Sequence, residues 1–259
     1  MKKNTRKLLY VFFILLMVGS LAVLAYDYFK EPEIPEIYEP TPSEIEVKDS
    51  EKVSTVIDSK VISMAPDVNL AEERAKYNNP YIVGRIEIPD LFNVLVAQSN
   101  DFKFYLDHDV SRKYDIRGTE FLDPRLTPTS KQLNIYGHNS RDPKIQVAFR
   151  KLEKLLDKTF FDNNQYIIFQ HDGGKNIYKI MAIKEVKNVA GTEHMHIEYT
   201  GSDFVKHVNT LISTTGNEKV LNSRSVYFDE NSEIIILQTC SHSTNFSDPL
   251  YIITGVRIK

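Results

Sequence analysis

Apolar residues recur along this chain with two different periods, and the change of period marks the predicted elements. Tyr81 to Ile88 alternates apolar and polar side chains, and Pro89-Asp90 then turns the chain into Val94-Leu95-Val96. Further strands are predicted at Thr119–Leu122, Gln132–Tyr136, Tyr166–Gln170 and Ile177–Val186, the last two joined as a hairpin through His171-Asp172-Gly173-Gly174. Ile234–Thr239 and Leu250–Ile258 complete the set. Helical spacing replaces alternation twice: at Ala148, Phe149, Leu152, Leu155 and Leu156, and at Phe204, Val205, Val208, Leu211 and Ile212. Both stripes are read as core-facing. A third helix is expected between Pro66 and Asn78, with Asn69 capping Leu70-Ala71-Glu72-Glu73-Arg74. The fold class is mainly β with peripheral helices, and strands closed by short loops suggest a small barrel.

Charge divides what precedes this domain. Lys2, Lys3, Arg6 and Lys7 lead into the uncharged stretch Leu8–Tyr26, whose 19 residues approach the length needed to cross a bilayer. Basic residues before the span and acidic ones after it put the amino terminus in the cytoplasm and the remainder outside. A cleaved signal peptide ending near Ala25 is the competing reading, but its apolar core would be unusually long. Asp27 to Lys52 holds nine acidic and three basic residues with Pro32, Pro35, Pro40 and Pro42, the composition of a semi-extended stalk. The expected layout is a cytoplasmic segment 1–7, a transmembrane anchor 8–26, a stalk 27–62 and one domain 63–259.

The candidate chemistry lies at two strand ends. Cys240 is the only cysteine, so no disulfide can form within the chain. It closes the apolar run Ile234-Ile235-Ile236-Leu237-Gln238-Thr239 just where the polar segment Ser241-His242-Ser243-Thr244-Asn245 begins. Leu133-Asn134-Ile135-Tyr136 delivers His138 in the same manner. One thiol and one imidazole so placed suggest a cysteine nucleophile with a histidine acid/base; a small buried hydrophobe is the bland reading of Cys240. His242 competes for the base, but a residue so near the nucleophile turns back toward it with difficulty. His194 and His196 share one strand face without a third ligand, so no metal is expected, and no acidic loop has calcium-ligand spacing. No cofactor is expected. A formal net charge of −3 and the absence of a basic-aromatic platform argue against nucleic acid.

From about Pro80 to Lys259 the chain resembles the sortases, class B in particular. Leu237-Gln238-Thr239-Cys240 resembles the family's Thr-Leu-x-Thr-Cys strand end, with Ile236 in place of the first Thr, and Ile135-Tyr136-Gly137-His138-Asn139 its histidine segment. Val94-Leu95-Val96-Ala97-Gln98, Phe104-Tyr105-Leu106-Asp107 and Gly118-Thr119-Glu120-Phe121-Leu122-Asp123 follow the class B order; Phe160-Phe161 and the helix near Asp203–Thr214 fit it as well. The resemblance implies a closed barrel with Cys240 and His138 on neighbouring strands. It also implies a transpeptidase that cleaves a carboxyl-terminal sorting signal through a thioacyl enzyme. The acyl group then passes to an amine of peptidoglycan or to a pilin lysine.

One departure matters. The family's arginine belongs at the start of the strand after the cysteine, and that place falls here on Pro249 or Leu250, ahead of Gly255. Arg257 is the nearest arginine, though seven strand residues span about 23 Å. Arg125, His242, Ser243 and Asn245 are the other donors in reach of the sequence. A sortase-fold surface module with little or no catalysis is therefore the alternative. Other cell-wall cysteine enzymes, L,D-transpeptidases and papain-like peptidases, carry different residues around their histidine and cysteine.

Overall fold

Eight strands close on themselves in a computed structural model that describes residues 66–140, 142, 144–186, 197, 199–212, 220–222, 226–241 and 250–258. The expected anchor 8–26, with the expected cytoplasmic segment 1–7 and stalk 27–62, lies outside the described residues. Among those that are described, no helix is long and apolar enough to cross a membrane.

The domain begins with α1 (Leu70–Tyr77), which starts and stops where its sequence says. The Asn69 side chain accepts the N–H groups of Ala71 and Glu72, and Asn78 ends the helix in the left-handed conformation at φ 48°. Strands β1 (Ile82–Ile88), β2 (Phe92–Ala97), β3 (Phe121–Leu122) and β4 (Gln132–Asn139) follow. Next come a 3₁₀ segment (Phe149–Leu156), helix α2 (Lys158–Asn163), and the hairpin of β5 (Tyr166–His171) and β6 (Gly174–Val186). Helix α3 (Gly201–Ile212), β7 (Val220–Asn222), β8 (Ile234–Ser241) and β9 (Leu250–Arg257) complete the described chain. The strand order is β5-β1-β2-β3-β4-β8-β9-β6, and pairing of β6 back onto β5 closes the barrel, with β7 added on β6. The β2–β3 and β4–β8 pairs are parallel; all others are antiparallel.

The unbroken apolar run at the start of β8 follows from burial on both faces. Ile235 and Leu237 join the barrel interior with Leu133, Ile135 and Ile253. Ile234 and Ile236 face outward beneath Phe204, Val208 and Leu211 of α3. That helical stripe is thus core-facing, as its spacing predicts. Lys184 on β6 is buried beside it and donates to the carbonyl of Thr210 in the last turn of α3 (3.0 Å). A cation at a helix carboxyl end satisfies both the charge and an orphan acceptor.

The stripe at residues 148–156 resolves differently from expectation. It is a 3₁₀ helix, not an α-helix, and its fully buried side chains Phe149, Leu152 and Leu155 are spaced by three. Three residues per turn is the 3₁₀ period, so this spacing aligns them on one edge facing the barrel interior. Gly137 makes room for that plug: a Cβ there would stand 2.6 Å from the Phe149 ring. Phe149 therefore packs directly against the β4 backbone one residue before His138.

Candidate active site

The parallel register of β4 and β8 runs without interruption from Gln132↔Ile234 to Asn139↔Ser241 and pairs His138 with Cys240. Neighbouring strands lie about 4.8 Å apart, so the two backbones meet at that spacing, and paired positions share a sheet face. Alternation along β8 gives position 240 the same strand parity as Ile234 and Ile236, which α3 covers. Between them and the strand end stands Gln238, 7% exposed, with its carbonyl oxygen buried and without a hydrogen-bond partner among the described residues.

His138 is buried, and its Nε2–H donates to the carbonyl of Leu106. A carbonyl only accepts, so this bond places a proton on Nε2 and leaves Nδ1 as the nitrogen that gains or loses one. Leu106 belongs to a 3₁₀ turn, Phe104–Leu106, in the loop between β2 and β3. No sequence motif announces a main-chain carbonyl, so this contact was invisible before the fold.

Glu120 is the other group that the sequence did not single out as chemistry. It lines a groove of about 360 Å³ bounded by α1, β2, the β2–β3 loop and residues 146–148. Burial withdraws its carboxyl from water and raises its pKa from 4.5 to about 7, although the N–H groups of Glu120 and Phe149 donate to it. Its position, one residue before the buried Phe121 and against Gly137, was the available signal: a carboxylate there has little water.

The proposed arginine donors are held elsewhere. Arg257 sits at the far end of β9, where its guanidinium donates to both carboxylate oxygens of Glu233 at 2.7 Å. Glu233 precedes Cys240 by seven residues, about 23 Å along a strand, so the expectation of an oxyanion donor at Arg257 is corrected by strand direction. Arg257→Ala should change turnover less than about twofold and stability by no more than about 1 kcal/mol, as for a partly exposed ion pair; a steady-state assay with a melt checks both. Arg125 is clamped on Asp123 through Nε (2.9 Å) and Nη2 (2.7 Å), and the Tyr136 hydroxyl donates to the same carboxylate (2.9 Å). Burial opposes ionisation of Asp123, but these bonds outweigh it and hold its pKa below the ordinary value. Arg150, in the 3₁₀ segment, donates to the carbonyls of Ser140 (2.6 Å) and Asp142 (3.1 Å), just beyond the end of β4. His242, Ser243 and Asn245, like the pair His194 and His196, lie outside the described residues. Among the described residues no group of three or more acidic, cysteine or histidine side chains could hold a metal ion.

No protein-family model and no curated protein matches the chain. Solved structures do. Sortase B of Clostridium perfringens superposes with a TM-score of 0.62 at 21% identity, over 73% of this chain and 100% of that one. A Staphylococcus aureus sortase B–substrate complex gives 0.61 at 23% identity, over 73% of this chain and 84% of that one. A sortase B complexed with triglycine gives 0.64 at 21% identity, over 81% and 95%. A closed mainly-β barrel with few helices, matched to these proteins over nearly their full lengths, is a sortase B-like fold.

Proposed function

We propose that this chain is a membrane-anchored cysteine transpeptidase that cleaves a carboxyl-terminal sorting signal and passes the acyl group to an amine. The observation that carries the reading is the β4–β8 register, in which Cys240 pairs with His138 near the ends of both strands. In this mechanism the Sγ proton of Cys240 moves to Nδ1 of His138, and the thiolate attacks the carbonyl carbon of the scissile bond. The tetrahedral intermediate collapses as the carbon–nitrogen bond breaks and His138 returns its proton to the leaving amine. A thioester remains on Cys240. The incoming amine then gives a proton to His138 as its nitrogen bonds to the carbonyl carbon, and the thiolate is expelled. The buried carbonyl oxygen of Gln238, without a hydrogen-bond partner among the described residues, offers an acceptor to a peptide unit lying along the same face. The anchor 8–26 and stalk 27–62 would hold the domain outside the cell, within reach of secreted proteins and of peptidoglycan or pilin amines.

A substrate complex and a triglycine complex of sortase B proteins support this substrate class by likeness of fold. The test is an intact-mass measurement on the full chain in detergent. It is incubated with acylated pentapeptides in which Thr is fixed before the scissile bond and the other positions vary. One acyl adduct on Cys240, discharged by triglycine, is expected; no adduct, or an adduct on another residue, sinks the proposal. A second reading, a surface binding module, draws on the commitment of the Arg257 and Arg125 guanidinium groups to Glu233 and Asp123. It predicts peptide retention without mass change.

A further inference from the structure

A cysteine–histidine pair needs something to hold the imidazole, and in nucleophile–base sites that something is a third polar group. Here the acceptor on Nε2 of His138 is the Leu106 carbonyl. The turn that presents it is fixed from three directions. The Tyr105 side chain is 1% exposed, and its hydroxyl accepts from Asn79 Nδ2 (3.0 Å). The Tyr105 carbonyl accepts from the N–H of Thr119 (2.9 Å). The Thr119 hydroxyl donates to the carbonyl of His108 (3.0 Å), two residues past Leu106.

Gly118 occupies the one place where these parts converge. Its φ is +62°, a conformation L side chains seldom adopt. A Cβ there would stand 2.5 Å from the Tyr105 oxygen, 2.9 Å from the Leu106 oxygen and 3.0 Å from Cδ2 of His138. Two of those atoms belong to main chain, so a methyl group finds no side chain to displace cheaply.

We infer that the β2–β3 loop is the orienting member of the active site: the Leu106 carbonyl sets the tautomer of His138, and Gly118 is the positioning residue that lets carbonyl and ring approach. This rests on the transpeptidase reading for its purpose, though not for its geometry. The neutral ring is held as the Nε2–H tautomer, which makes Nδ1 its basic nitrogen.

The full chain labelled with [15N]histidine, in detergent, reports the tautomer directly through ring nitrogen shifts, with His138 assigned by its loss in His138→Gln. The neutral form should be the Nε2–H tautomer alone. An Nδ1–H tautomer, or averaging between the two, overturns the inference without recourse to any variant. Gly118→Ala should then average the tautomers and slow iodoacetamide labelling of Cys240 about tenfold or more, because small displacements of a reacting group are costly. Unchanged tautomer and labelling in that variant would equally refute the role of Gly118. Should Gly118→Ala fail to fold, Asn79→Ala loosens the same turn from its far side and should move both readouts in the same direction; if it moves neither, the anchoring argument fails. A wild-type chain with the Nε2–H tautomer but no acyl adduct would support the inference while rejecting the transpeptidase reading.

Discussion

Cys240→Ala and His138→Ala should each lower peptide turnover by about 10⁴-fold or more, and the double variant should fall no further than about threefold below the worse single one. In the proposed mechanism the imidazole takes the proton whose loss makes the thiol a nucleophile, so removing either side chain removes what the other contributes. Additive losses, by contrast, would mean two independent contributions and would contradict the shared step. Neither change should unfold the barrel. Cys240 lies within one residue of the end of β8, after its ladder with β9 has been completed by the Gln238–Ile252 pair. Far-UV spectra should therefore match, and melting temperatures should hold within about 4 °C. Steady-state cleavage of the peptide that forms the adduct, measured for the wild type and three variants, decides it. Turnover by Cys240→Ala above the buffer rate would remove the thiol from the mechanism.

How much of this was legible beforehand depended on whether the signal was local. The Ile234–Leu237 run and the alternation of Tyr81–Ile88 are local, and both strands stand within two residues of their predicted bounds. Asn69 was readable as a cap because an Asn before Leu-Ala-Glu-Glu satisfies orphan N–H groups whatever the fold. The three-residue β7 was not readable, since so short a segment has no period and exists through its pairing with β6. Nor did periodicity separate a 3₁₀ from an α-helix at Phe149–Leu156, where spacings of three serve both. The β4–β8 pairing joins residues about a hundred positions apart, and here resemblance of the flanking motifs supplied what pattern could not. Arg257 shows the opposite case. Its strand was predicted, but the antiparallel direction that carries it away from Cys240 becomes explicit only once Ile234 is paired with Val256. Leu106 matters through its carbonyl oxygen, which every residue possesses.

Glu120→Gln should make the protein more stable at pH 8 by about 2 kcal/mol while leaving it unchanged below pH 4.5. The carboxyl has a folded pKa of about 7 against an ordinary 4.5, raised because the ionised form is desolvated. The folded state thus binds the proton more tightly than the unfolded chain. Stability from this group is fully present below pH 4.5 and is lost as the pH climbs to about 7. A shift of roughly 2.5 units corresponds to about 3 kcal/mol, reduced to about 2 because the residue is partly open to the groove. The charged neighbours there are mixed in sign: Glu73, Lys76, Arg85, Asp109, Asp115 and Arg117 line the same groove. Lys76 is paired with Glu73 and Arg117 with Asp115, so neither cation is given over to Glu120. Glutamine keeps an acceptor for the Phe149 N–H and cannot ionise, so the variant isolates the charge from the hydrogen bond. Urea midpoints of the full chain, measured from pH 4 to pH 8, should coincide at the acid end and diverge as the wild type weakens. Parallel curves across that range would show that the Glu120 carboxyl ionises at its ordinary pH, and that the end of the barrel beside His138 is wetter than its packing against Phe149 and Gly137 requires.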